Sequence, residues 1–369
     1  MDLRGLAHPW LRFPSVANDI ARLRAGYQLE EFTHRHGRLI RSRGPGLQGA
    51  LNQLGQLNTL DEVWAPDIAR LGHCAAASEH AVLCAAVRAA LHGSAQGQAA
   101  DWSASWRARV QLTFAGFSLP QTTQIRFTSN GWRARIEVNS HPFSVLRHRG
   151  TWHTDQLKPV PGFGVGPCEI PINPCFGTQW DASSRTRYLR WARTCGASAL
   201  RLIEHCAPRY VSWVHRVIHS IEPIFMHPGL IRSASSSDRP GVMGLSGFSS
   251  AVELAELLVH EAAHQYVFLT RCIGPTVNQC HRSLYYSSAR GTKRPLDSIL
   301  LAFHAFANVL LFYQCVRQAS GAARTSANER RTLETTRQLA DVIRNSAHLT
   351  ELGSALTTPL LSRLAPVLQ

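Results

Sequence analysis

The chain has 369 residues, 44% of them hydrophobic and 17% charged, enough apolar material to bury a core and long enough for two or three domains. Its formal charge of +15 is compatible with an acidic peptide partner, and it carries no zinc-knuckle spacing or aromatic-rich RNA-binding signature to support nucleic acid. Lysine occurs only as Lys158 and Lys293, so the basicity is arginine, scattered apart from small groups such as Arg38, Arg41, Arg43 and Arg133, Arg135.

Residues 1–100 read as a helical N-terminal region, with helices expected over Val16–Phe32, Thr59–Leu71 and the alanine-rich Ala75–Leu91. A Gly/Ser/Gln patch from Gly93 to Gln98 then reads as a linker. Residues 101–180 form a β-rich region suited to peptide recognition. Arg109–Phe114, Gln124–Thr128 and Trp132–Val138 alternate in polarity as strands do, and Ser129-Asn130-Gly131 supplies a hairpin turn. Residues 181–369 are expected to be mostly helical, opening with Ser183–Ile203 and Tyr210–Ile221. Val242–Ser246 reads as a short strand that could pair with an extended substrate. Ser250 and Glu253 form a capping box for a helix running to about Leu269. A loop follows, then a second helix over about Leu296–Val316 that is apolar nearly all round and must be buried. The tail, with a charged helix at Asn328–Asn345, looks peripheral. The fold class expected is α+β, with a helical N-terminal part, a small β-rich middle and a predominantly helical, metalloprotease-like part.

The nine cysteines are widely spaced and never form C-x-x-C, and the N-terminus shows no apolar signal region. No uninterrupted apolar run of membrane-spanning length is read from the sequence. These features point to a reduced, cytoplasmic protein with no membrane partner.

Within the capped helix lies His260-Glu261-Ala-Ala-His264, an H-E-x-x-H sequence. Histidines four apart stack on one helical face, so both imidazoles can reach one metal ion, with Glu261 close enough to serve whatever binds there. With 18 histidines in the chain, chance would produce such a motif on the order of a few times in a hundred. Leu254, Leu257, Leu258 and Val259 set it in a packing shoulder that an exposed helix would not need. Position 267 is valine and position 270 threonine, which excludes the metzincin pattern. Between Ser298 and Gln318 there is no acid to serve as a gluzincin ligand; the candidate third ligand is His304. Three neutral imidazoles suit zinc or ferrous iron.

The order and spacing of Glu256–His264, the segment Tyr286-Ser-Ser-Ala-Arg290-Gly-Thr-Lys-Arg294-Pro-Leu and Leu301-Ala-Phe-His304 resemble the HExxH-motif peptide-modification proteins of RiPP gene clusters, 2-oxoglutarate-dependent peptide β-hydroxylases. The downstream block of that family looks like Y-x-S-P-W-R-x-D-x-R-P-L. This chain keeps Ser287, Arg290, Arg294, Pro295 and Leu296, and departs at Ser288, Ala289 and Thr292. The resemblance covers roughly residues 230–315. It implies Fe(II) held by His260, His264 and His304, and 2-oxoglutarate as cosubstrate. The activity implied is hydroxylation of side-chain β-carbons in a ribosomally made precursor peptide, which could be recognised through an acidic leader. Arginine binds a carboxylate through two parallel hydrogen bonds, and Arg290 and Arg294 are the candidates for the distal carboxylate of 2-oxoglutarate. Two other readings use the same motif: a zinc metallopeptidase in which Glu261 takes the proton from water, and a non-catalytic metal-stabilised module that binds peptides.

Overall fold

The structure is a computed structural model. It describes residues 6–10, 30, 34, 86–87, 90–91, 93–94, 99–110, 113–114, 117–118, 122–130, 133–148, 151–153, 158–159, 162–165, 168–172, 180–224, 233–247, 249–321 and 326–368. The helices expected at Val16–Phe32 and Thr59–Leu71 lie outside the described residues, apart from Glu30. Of the third, Ala86, Val87, Ala90 and Leu91 are helical, and the helical state continues at Gly93 and Ser94, which composition had assigned to a linker. The chain divides into two compact units, Ala21–Pro161 and Met1–Ile20 with Gly162–Gln369.

In the first unit β1 (Ala99–Val110), β4 (Thr122–Asn130), β5 (Arg133–Val138), β6 (His141–His148) and β7 (Thr151–His153) form one antiparallel sheet in that order. The strand fragments β2 (Thr113–Phe114), β3 (Phe117–Ser118) and β8 (Lys158–Pro159) make a small second sheet. Burial follows the two-residue period of the pleat. In β5, Ala134, Ile136 and Val138 are buried, and across the register Ile125 and Phe127 of β4 join Trp102 and Ala104 of β1 on the buried side. The facing pair Trp102 and Phe127 stack with ring centroids 5.7 Å apart. Asn139 and Ser140 take φ values of 48° and 68°, the left-handed pair that a tight β5–β6 hairpin requires.

The second unit begins its later segment with the hairpin β9 (Gly162–Val165) and β10 (Cys168–Pro171), which packs against α1 (Ala182–Cys206) and continues to a bridge between Ile172 and Ile221. These contacts tie 162–172 to the motif-bearing unit, whereas sequence patterning had grouped them with the strands before. After α2 (Arg209–His215) the chain turns into β11 (Ser220–Pro223), so the helix expected to reach Ile221 stops earlier. β13 (Val242–Leu245) lies between β11, which runs parallel to it, and β12 (Ser233–Ala234), which runs antiparallel. All four β13 residues are buried. With partners on both sides, β13 is not the open edge that a substrate strand would need; β12 is the outer strand beside it.

Four helices complete the core: α3 (Ala251–Arg271), α4 (Leu296–Ser320), α5 (Ala327–Arg344) and α6 (Glu351–Leu368). α4 packs against α1, α3, α5 and α6. By length and composition it could cross a membrane, a property the sequence reading had not credited, yet 67% of its apolar stretch is buried inside the unit. That burial accounts for its apolarity. It ends at Gly321, whose φ of 63° closes a left-handed cap. The tail is not peripheral: Leu356, Leu360 and Leu364 of α6 repeat at helical spacing and are fully buried.

The start of α6 comes unusually close to the loop before it. Thr350 donates its amide to Thr276 O at 3.2 Å and its hydroxyl to Pro275 O at 2.7 Å, and a Cβ added at Gly353 would stand 2.1 Å from the Thr276 carbonyl oxygen. Backbone meets backbone there, so no rotamer relieves the clash. Gly353→Ala is expected to cost about 2–3 kcal/mol in urea unfolding, despite alanine's better helix propensity. A neutral or stabilising result would show that the approach is not this tight.

Candidate metal centre

α3 is set from its first residue. Ser250 Oγ accepts from Glu253 N at 3.3 Å and Glu253 Oε2 accepts from Ser250 N at 2.8 Å, the reciprocal capping box expected from sequence. Trp191 Nε1 donates to Ser249 O at 2.9 Å and anchors the approach to that cap. Further along, the fully buried Gln265 accepts from Gly241 N and donates to Val242 O, fastening α3 to β13. Tyr266 donates to Trp213 O at 2.8 Å and stacks on that indole at 4.4 Å. The residues flanking the motif therefore hold the helix from several sides.

On the motif itself, the His260 and His264 rings lie 4.6 Å apart, centroid to centroid, nearly perpendicular at 83°. Phe306 of α4 meets His260 edge-on at 5.3 Å, and Phe268 lies beside His264. One ligand atom from each of His260, Glu261 and His264 falls within a set whose members are all within 4.8 Å of one another. Burial holds the pKa of both histidines below the usual value; at His260 the charge of Glu261 opposes this and Arg290 adds to it, while at His264 the neighbouring His260 and His304, then Arg271 and Arg290, add to it. Both rings are neutral at pH 7 and present lone pairs, the state that a metal requires.

Glu261 is 2% exposed. Its Oε1 accepts a 2.6 Å hydrogen bond from Ser233 Oγ, while Oε2 is buried without a partner, and so is His264 Nδ1. Two orphaned polar atoms in one buried cluster are costly unless something fills the place between them. The donor set, neutral imidazole with carboxylate, fits zinc or ferrous iron.

His304 is fully buried on α4, but the structure does not bring it into that set. Its Nδ1 faces Ala263 O at 3.0 Å and its Nε2 faces Leu6 O at 3.2 Å, so both ring nitrogens point at backbone carbonyls. The residue expected as a third imidazole ligand therefore stands with both ring nitrogens against backbone carbonyls in this arrangement. Burial depresses its pKa to about 4, partly opposed by the two carbonyls. The neutral ring has one N–H to give, so it donates to one of the two carbonyls, Ala263 O on the motif helix or Leu6 O. Asn308, one turn further on, holds the same N-terminal segment by donating to Ala7 O at 2.9 Å. Trp10 ends that segment with its ring edge-on to Tyr210 and the Arg363 guanidinium 4.2 Å from its centroid.

The arginine-bearing segment, read from sequence as a loop, is a hairpin of β14 (Leu284–Ser287) and β15 (Thr292–Pro295). Its turn is closed by the Arg290 and Gly291 amides donating to Ser287 O, with Gly291 at φ 67°. Arg290 sits at the tip and is exposed, yet its charge acts on both motif histidines. Arg294 faces Tyr285 across the register and does not figure among the charges acting on His260 or His264. The two arginines, equal candidates by sequence, are therefore distinguished. Tyr285 is engaged with His281 Nε2 at 2.8 Å, Tyr286 is exposed and Ser287 is buried. Ser233 was not found from sequence: it opens the run Ser233-Ala-Ser-Ser-Ser, where nothing marks one hydroxyl from another.

No protein-family model matches the chain, and no characterised protein matches it in sequence.

Proposed function

We propose that the chain is a metal-dependent enzyme, an Fe(II)/2-oxoglutarate-dependent hydroxylase of side-chain β-carbons in a ribosomally made precursor peptide. His260 and His264 hold the metal, and iron with 2-oxoglutarate supplies the oxidising chemistry when bound. Arg290 is the observation that carries the choice. At the exposed tip of its hairpin, Arg290 adds its charge to both imidazoles and can offer a dicarboxylate a bidentate partner, whereas Arg271 acts on His264 alone. Arg294 backs it from β15. Glu261 belongs to the same group and keeps Oε2 unpartnered, and His304 stands behind α3 with Nδ1 at Ala263 O.

A zinc metallopeptidase is the second reading. The unpartnered Oε2 of Glu261 favours it, because a buried carboxylate beside a Lewis acid can accept a proton from water.

The decisive assay adds Fe(II) or Zn(II) to metal-free protein with a peptide encoded beside it. Succinate formation and a mass gain of one oxygen are expected with Fe(II) and 2-oxoglutarate. Peptide cleavage with zinc and indifference to 2-oxoglutarate would give the site to the peptidase. Arg290→Ala is expected to raise the half-saturating 2-oxoglutarate concentration by about 10- to 100-fold, the worth of a charge-assisted pair, at unchanged metal content. Arg294→Ala is expected to have the smaller effect, and the reverse order would move the carboxylate site to β15.

A further inference from the structure

Glu261 is held by a residue from another element. Ser233 stands on the outer strand β12, opposite Leu245 of β13, and β12 packs against α3. Its hydroxyl donates to Glu261 Oε1 at 2.6 Å, within the range of a strong hydrogen bond to a charged oxygen. The terminal torsion of a glutamate is broad, so a carboxylate on a helix does not orient itself. Fixing one oxygen sets the plane and thereby aims the other. The other oxygen, Oε2, is buried without a partner, and the carboxylate shares with His260 and His264 a group whose ligand atoms all lie within 4.8 Å of one another. The neighbouring Ser235 hydroxyl is itself buried and unpartnered, so proximity on this segment does not by itself engage the carboxylate.

We infer that Ser233 is a positioning residue for the metal centre, locking Glu261 so that Oε2 faces the space shared by His260 and His264. This rests on the reading of those histidines as metal ligands. A serine has one proton to give, and here it goes to Oε1. Oε2 is left as a buried acceptor that a bound group can satisfy. Such an outer partner governs how tightly and in what geometry a metal is held, without touching the metal.

The test uses Co(II) as the probe, titrated into the metal-free 369-residue chain and followed by its visible absorption bands. Ser233→Ala is expected to weaken Co(II) binding about tenfold and to alter the band shape, as loss of an outer partner does. Ser233→Thr, which keeps the hydroxyl, is expected to restore both to within about twofold. In a Glu261→Ala background, Ser233→Ala is expected to change nothing further, because its effect passes through that carboxylate. Circular dichroism confirms the fold of each variant. Wild-type affinity and spectrum in folded Ser233→Ala, or an equal loss with and without Glu261, would overturn the proposal. A different result overturns the underlying reading: Co(II) bound by His264→Ala as tightly as by the wild type would remove the metal centre, and Ser233's role with it.

Discussion

His264→Ala is expected to remove the metal from this protein while leaving its fold intact. Structural zinc sites gain about 10–16 kcal/mol from four ligands, so one donor is worth about 3 kcal/mol, or at least a hundredfold in affinity. The loss here should sit above that floor, since among the described residues His260 is the one imidazole left in the group. The same change should not weaken the metal-free protein as an ordinary core truncation does. His264 carries a buried Nδ1 without a partner, and both neighbouring charges and burial work against protonating it. Removing an unsatisfied polar group offsets the lost packing. Melting of the metal-free variant is therefore expected within a few degrees of the wild type, and metal content near zero by elemental analysis. Unchanged metal content would refute the site. A collapse in metal-free stability would show that His264 is held for the core and not for a ligand.

Acid is expected to unfold the second unit well above the ordinary carboxylate range. His8, His215 and His304 are each held down to about 4 by burial. In the unfolded chain they titrate near 6.5, so between pH 6.5 and 4 the unfolded state binds more protons. Stability is then greatest above pH 6.5 and falls as the pH drops through this window. Each such group contributes up to about 1.4 kcal/mol per pH unit, and three together several kcal/mol, a large part of a domain's margin. Glu256 works the other way, because burial raises its pKa and so favours the folded state in acid. It is one carboxyl against these three imidazoles, with His260 and His264 held below their usual value as well. Urea midpoints measured from pH 7.5 to 4.5 should fall steadily, and His215→Leu should flatten the slope by about one proton. A midpoint independent of pH across this range would contradict the burial of these rings.

How much of this was legible beforehand depends on how local each feature is. The Ser250–Glu253 cap and the His260/His264 pair lie within single turns of helix, and both stand where the pattern placed them. The burial of α4 was readable from its unbroken apolar run and lack of acids. The hairpin at Leu284–Pro295 was not, because three of four residues in β14 and all four in β15 are not buried and show no apolar alternation. The C-terminal tail was misjudged from the charge of α5, although α6 behind it carries a plain helical repeat of leucines into the core. The β13 edge failed as an expectation for another reason: strand neighbours come from pairing, and pairing is not written in the strand's own residues.

By itself the sequence determined that a capped helix would present two imidazoles and a carboxylate together, since the 3.6-residue turn stacks positions four apart whatever surrounds them. Tertiary structure decided what each of those groups is free to do. His304 Nε2 meets Leu6 O, a partner 298 residues distant, and Glu261 is hydrogen-bonded by Ser233, 28 residues before it on another element. Arg290 rather than Arg294 brings its charge to the histidines because a hairpin register puts one at the tip and the other along the strand. Helical periodicity is a property of the backbone and can be read along the chain. The choice of hydrogen-bond partner for a buried polar atom depends on which distant segment arrives beside it, and only packing settles that.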